Sequence, residues 1–121
     1  MKLKTAKIIV ESIDETSARW KKALKGKVRS KRDEEVIILP SWEVLGKLLA
    51  PSRLQILAMI PHLEPQSIAQ LAKLMKKDFK NVYVDVKFLA DIGLIELREE
   101  GKRKTLVPVA LFKEIDVPFA A

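Results

Sequence analysis

The chain has 121 residues, which is enough for one domain and too few for a two-domain enzyme. Hydrophobic residues make up 48% of it, so the sequence predicts a folded core without disulfides or metal. It has no cysteine and one histidine, which excludes thiolate nucleophiles and thiolate or His-rich metal sites. The formal net charge of +7 favours a polyanionic partner, such as nucleic acid or an anionic membrane surface.

Nothing in the sequence predicts a membrane segment or an export signal. The longest apolar runs, such as residues 36–39 and 56–60, have four and five residues, far fewer than the roughly 18 that a spanning helix needs. The basic N-terminus is not followed by an apolar stretch of signal-peptide length. We therefore expect a cytoplasmic protein with no membrane partner.

The first 40 residues are predicted to form a strand, a helix and a second strand. Short β-branched runs predict strands at residues 7–10 and 35–39, which could pair with each other or across a dimer. Between them, the Ser12-x-x-Glu15 spacing predicts a capped helix that ends near Gly26. These elements expose more apolar surface than they can cover alone, so we expect residues 1–40 to be a dimerisation extension.

The positive charge is concentrated in the same extension. Residues 19–32 contain eight basic residues and no acid, whereas residues 51–121 contain 11 basic and 9 acidic residues. The basic cluster is either a solvated surface or an additional contact with a DNA backbone. A membrane-surface role would need a broader apolar face than this helix offers.

After Pro40 the apolar residues follow a helical period. Ser41 begins a first helix that ends before Pro51, and Trp42 is expected to pack on its apolar stripe. Residues 52–60 predict a second helix, with a capping box at Ser52 and an end at Pro61. Its predicted buried stripe consists of Leu54, Leu57 and Ala58.

Two further helices are separated by a tight turn of residues 76–78. The third begins at Ser67 and the fourth at Asp78, whose carboxylate is expected to cap the first turn. Gly93 is expected to end the fourth helix. The predicted core positions are Ile68, Leu71, Ala72 and Met75 in the third helix and Val82, Val86 and Leu89 in the fourth.

The period then changes to two. Residues 94–98 and 104–109 predict a β-hairpin with a turn at residues 99–101. Three helices followed by a hairpin predict an α+β fold, the winged helix-turn-helix, over residues 41–121.

The sequence resembles the winged helix-turn-helix regulators of the ArsR and MarR type. More narrowly, it resembles a small bacterial and archaeal group of DNA-binding regulators with an N-terminal extension. The resemblance covers about residues 41–112. It rests on the following runs: Leu49-x-x-x-Arg53-Leu54-x-Ile56-Leu57, Ser67-Ile68-x-x-Leu71-Ala72, and Asn81-Val82-x-x-Asp85-Val86-x-x-Leu89-x-x-x-Gly93-Leu94-Ile95.

The resemblance implies that the fourth helix lies in the DNA major groove. Asparagine suits adenine, lysine suits guanine or phosphate, and valine or tyrosine suits a thymine methyl group. The turn, the N-terminus of the third helix and the hairpin loop would contact phosphates. The implied DNA-binding residues are Ser67, Lys76, Lys77, Lys80, Asn81, Tyr83, Val84, Lys87, Lys102, Arg103 and Lys104.

Each of these residues also has a structural interpretation. The lysines could form only a solvated face, and Asn81 could serve as a helix cap. Asp85 borders the predicted core face and is expected to pair with a cation, for which Arg53 is a candidate. Val84 departs from the family pattern, because a polar or basic side chain is more usual on a base-reading face.

The sequence thus predicts a DNA-binding module, with no enzyme signature and no cofactor. Its four glycines are dispersed, and one histidine does not make a catalytic triad. We expect a homodimeric, sequence-specific regulator of transcription, a repressor acting by occlusion, and the resemblance also allows an antitoxin with a toxin protein as partner. The alternative is a winged helix that binds proteins and not DNA.

Overall fold

The computed structural model describes residues 3–11 and 33–119, which form an α+β structure with four helices and two sheets. The predicted helix after Ser12 and the basic cluster of residues 19–32 lie outside the described residues. The strands are β1 Lys4–Val10, β2 Glu34–Leu39, β3 Ile95–Glu100, β4 Thr105–Ala110 and β5 Phe112–Asp116. The helices are α1 Trp42–Leu48, α2 Pro51–Leu63, α3 Ile68–Met75 and α4 Phe79–Asp91.

One sheet brings the two ends of the chain together. Its strand order is β2-β1-β5, and both pairs are parallel. The pairing of the two N-terminal strands within one chain is therefore confirmed, with Ile8 opposite Ile37. Strand β5 was not predicted from the sequence, and its Glu114 accepts a hydrogen bond of 2.5 Å from the Thr5 hydroxyl. The predicted extension thus shares its sheet with the C-terminal strand.

The two faces of this sheet differ in polarity. Ala6, Ile8 and Leu39 are buried in the core that the sheet shares with the helices. Pairing places Lys7 and Val36 on the other face, because paired residues of neighbouring strands point to the same side. There Lys7 lies 3.4 Å from a carboxylate oxygen of Glu34.

Helix α2 differs from its prediction at both ends and in its buried residues. Helix α2 begins at Pro51, with Ala50 and not Ser52 as its N-cap, because proline at the first position has no amide to satisfy. It continues through Pro61 and ends at Glu64 in the left-handed conformation. Its buried residues are Ile56 and Ile60, whereas Leu54 and Ala58 are exposed and Leu57 is half-buried.

Helix α1 also differs in how it packs. It buries Leu45 and Leu48 against the core. The predicted packing role of Trp42 is wrong, since its side chain is 61% exposed. The predicted start of this helix at Ser41 is confirmed, because Ser41 is its N-cap and the Ser41 hydroxyl accepts a hydrogen bond of 3.2 Å from the amide of Val44.

Helices α3 and α4 and the turn between them follow the predicted boundaries. The Ser67 hydroxyl caps α3 by accepting from the Gln70 amide at 2.9 Å. Lys76 ends this helix with a φ of 56°, and α4 begins three residues later. Asp78 is the N-cap of α4, but its side chain makes no capping hydrogen bond, so the predicted capping role of its carboxylate is wrong.

The predicted hairpin is confirmed as β3 and β4, which pair antiparallel. Strand β3 extends two residues further than predicted, because Glu99 and Glu100 pair with Leu106 and Thr105 and do not form the turn. The loop consists of residues 101–104, with Gly101 at a φ of 77°. The other glycine in the left-handed region is Gly93, which lies just beyond α4. The predicted end of this helix at Gly93 is confirmed.

Candidate functional site

The outward face of α4, which we define as Lys80, Asn81, Tyr83, Val84 and Lys87, lies away from the buried stripe of the helix. The buried stripe is the predicted one, Val82, Val86 and Leu89. Val84 is 54% exposed and Tyr83 is 40% exposed. Lys87 is less exposed than these two and is half-buried. Lys80 and Asn81 are exposed. Since Asp78 is the N-cap, the interpretation of Asn81 as a helix cap is wrong.

An aromatic pair borders this face. The ring centroids of Phe79 and Tyr83 are 5.9 Å apart, with their planes tilted by 37°. Phe79 is 50% exposed and was not among the predicted site residues. The sequence did contain a signal for Phe79, because it lies four residues before Tyr83 and residues four apart on a helix are neighbours. The contact restricts Tyr83 and leaves an apolar surface at the start of α4.

The turn before α4 adds positive charge beside the outward face. Lys76 and Lys77 are both exposed. The ammonium group of Lys77 donates a hydrogen bond of 2.5 Å to the side-chain carbonyl of Gln55 on α2. A shallow groove brings predicted residues from the turn and from α4 together; it is lined by Ser52, Lys77, Asp78, Asn81, Val82, Val84 and Asp85.

Ser67 has a different position from the lysines. It is half-buried, and its hydroxyl oxygen already accepts the Gln70 amide. The side-chain carbonyl of Gln70 in turn accepts a hydrogen bond of 2.6 Å from the Gln66 amide. A phosphate at this helix end would therefore meet backbone amides, with the hydroxyl serving as the cap.

On the side of α4 that faces α2, a cluster of side chains surrounds Arg53 of α2. Its Nε lies 3.2 Å from Oδ1 of Asp85, at an angle that makes the contact an ion pair without a hydrogen bond. The predicted pairing of Asp85 with Arg53 is thus confirmed. Nη1 of Arg53 donates to the backbone carbonyl of Lys47, and its guanidinium carbon lies 4.4 Å from the centre of the Phe88 ring. The cluster joins α1, α2 and α4.

The hairpin loop presents a second group of cations. Lys102, Arg103 and Lys104 are exposed, and none of them has an ion pair within residues 3–11 and 33–119. Arg98, on β3, is held by Glu96, whose hydrogen bond and negative charge raise the pKa of the guanidinium. The loop lies at the end of the hairpin away from the junction of α4 with β3.

The part of the chain that the structure describes has neither a cluster of metal ligands nor a membrane-spanning helix. It holds no group of three or more His, Cys, Asp or Glu side chains that could bind a metal ion. None of its helices is both long enough and apolar enough to cross a membrane.

Comparisons with known proteins gave one match. A family model described as HVO_A0114 matches residues 48–117, which is more than half of the chain and includes α2 to α4 and all of the hairpin. No curated protein and no solved structure matches the chain.

Proposed function

The chain belongs to the HVO_A0114 family, and we propose that it is a sequence-specific regulator of transcription that binds double-stranded DNA through α4. In this proposal α2, α3 and α4 are the three core helices of a winged helix, and β3 and β4 are its wing. The protein acts in the cytoplasm and represses transcription by occupying its site. It uses no cofactor and catalyses no reaction.

The observation that carries the proposal is the chemistry of the outward face of α4. Lys80 and Asn81 are exposed neighbours in the sequence of a helix that follows a three-residue turn, and Lys76 is exposed in that turn. Neither lysine has an ion-pair partner among the described residues. Asn81 supplies a donor and an acceptor that match an adenine edge. The exposed loop of residues 101–104 adds three cations that suit a phosphate backbone.

The proposal is tested by the salt dependence of binding to duplex DNA. If the full chain neutralises roughly 6 to 10 phosphates, its affinity should fall by about three to five orders of magnitude between about 50 and 200 mM salt. Lys80→Ala should reduce the slope of log affinity against log salt by about 1. The matched control is Lys113→Ala, an exposed lysine on β5 that should leave the slope unchanged. An affinity that does not depend on salt would contradict the proposal.

We propose further that the regulator is a homodimer whose interface includes the N-terminal sheet. Among the strands that the structure describes, β2 lies at the edge of this sheet, and it exposes Val36 and Ile38. Edge strands with exposed apolar side chains pair readily with another chain. A twofold dimer would place two copies of α4 in successive major grooves, about 34 Å apart.

A point substitution tests this interface better than removal of residues 1–40, because removal would also deprive β5 of its partner strand. Ile38→Lys places a charge on the exposed edge and should give a monomer in sedimentation at micromolar concentration. A variant that stays dimeric would place the interface elsewhere, at Trp42 on α1 or on the segment around β5. If the protein is also an antitoxin, a toxin encoded by the adjacent gene should form a stable complex with it.

A second candidate function, a winged helix that binds another protein, is favoured by the apolar part of the same surface. Phe79, Tyr83 and Val84 are all exposed at the start of α4. An interface of this kind would be far less sensitive to salt than DNA binding. The salt series therefore discriminates between the two functions.

A further inference from the structure

The outward face of α4 has a valine near its centre. The buried residues Val82, Val86 and Leu89 define one side of the helix. At about 100° per residue, Val84 lies almost opposite the mean direction of this stripe. The structure agrees, because Val84 is 54% exposed, more than either Phe79 or Tyr83 on the same helix.

The chemistry around Val84 limits what it can contact. Lys80 is one turn before it, Asn81 lies three residues before it, and Lys87 lies three residues after it. A polyanion is thus attracted to the rim of this surface, whereas its centre offers only methyl groups. In the major groove, base edges present hydrogen-bonding groups and one apolar group, the C5-methyl of thymine.

We propose that Val84 recognises a thymine methyl group and that α4 therefore selects A·T base pairs, an inference that rests on the proposed DNA-binding function. Asn81 supports the same preference, because its amide can bond bidentately to the adenine of an A·T pair. The Phe79–Tyr83 pair forms an apolar wall on the flank of the face, 5.9 Å between ring centroids. The contact with Phe79 restricts the tyrosine ring before DNA binds.

The experiment begins with selection of bound sequences from random duplex DNA by the full chain. Each thymine of the selected site is then replaced by uracil, which removes only the methyl group and keeps every hydrogen-bonding group. Uracil at one thymine of a single half-site should lower the affinity of the wild-type chain about fourfold, as expected for about one buried methylene-sized group. The half-site should contain an A·T pair at that position.

Two variants assign this effect to Val84. Val84→Ala should bind the thymine and uracil duplexes with nearly equal affinity, because the side chain that contacts the methyl group is shortened. Lys76→Ala, the control, should weaken binding to both duplexes by the same factor and keep the fourfold difference. Both residues are exposed, so the variants should unfold at the same denaturant concentration as the wild type.

The outcomes separate this inference from the proposed function. If no sequence is enriched over random DNA, the proposed function fails and the inference fails with it. If a sequence is enriched but uracil at every thymine leaves the affinity unchanged, the protein is a DNA-binding regulator and the role of Val84 is wrong. If Val84→Ala keeps the full fourfold difference, another residue contacts the methyl group, and the assignment to Val84 is again overturned.

Discussion

On the side of α4 that faces α2, Asp85 lies 3.2 Å from Nε of Arg53, and the guanidinium also covers the Phe88 ring. On the outward side, Lys80 and Asn81 are exposed, and Lys80 has no ion-pair partner among the residues that the structure describes. The charges of one side are already neutralised within the protein. Those of the other side are available to a ligand.

This difference shows how one helix can serve stability and binding through separate residues. Removing Arg53 would leave the half-buried Asp85 carboxylate without its partner, which is costly because the group is largely withdrawn from water. Removing Lys80 would leave nothing unpaired in the fold. We therefore expect substitutions on the α2 side to change unfolding, and substitutions on the outward side to change DNA binding.

The largest expected effect is that of Arg53→Ala. It removes the ion pair with Asp85, the contact with Phe88 and the hydrogen bond to the Lys47 carbonyl, and should lower the free energy of unfolding by about 3 kcal/mol. Urea unfolding measures the change. Arg53→Lys keeps the charge but not the planar guanidinium, and should lose less.

DNA binding provides the control for this variant. Under conditions where Arg53→Ala is folded, its affinity for DNA should equal that of the wild type. A large loss of affinity in the folded variant would mean that the two sides of α4 are not separate.

Asn81→Ala should have the next largest effect, and only on binding. It should relax the discrimination at one base position by about 1 to 3 kcal/mol, since an adenine edge is read by both groups of the amide. Binding to the selected site and to variants of each base pair measures this. Equal losses on specific and random DNA would show that Asn81 does not contact a base edge.

Lys102→Ala combined with Arg103→Ala tests whether the hairpin loop joins the binding surface. The pair should lower the affinity for all sequences alike and reduce the salt slope by about 2, because each residue would neutralise one phosphate. The comparison is with Lys80→Ala, which changes the slope by about 1. An unchanged slope would mean that the loop is not at the DNA.

The elements that could be predicted from the sequence are those with local signals. The turn of residues 76–78, the end of α4 at Gly93 and the hairpin all depend on residues close together in sequence. The sheet does not, because β5 pairs with a strand more than one hundred residues earlier. Three of the five residues of β5 are charged, so it also lacks the apolar alternation that marks a strand.

Two errors in side-chain placement have a related cause. Helix α2 has apolar residues on nearly every side, so its periodicity did not show that Ile56 and Ile60 are the buried ones. Trp42 follows the apolar period of α1, yet this helix buries Leu45 and Leu48 and leaves Trp42 exposed. On α4, by contrast, the alternation of apolar and polar residues was sharp enough to predict both faces. Phe79 was missed because it precedes the stripe that defined them.

The smallest expected effect separates the two roles of Ser67. Its hydroxyl caps α3, so Ser67→Ala should lower the free energy of unfolding by about 1 kcal/mol. Ser67→Asp keeps a good capping side chain and should unfold like the wild type, but it places a negative charge at the helix N-terminus where a phosphate would bind. Its affinity for DNA should therefore fall more than that of Ser67→Ala, and the difference should shrink at high salt. If both variants bind DNA as the wild type does, Ser67 is a cap alone, and the N-terminus of α3 lies outside the surface that the outward face of α4 presents.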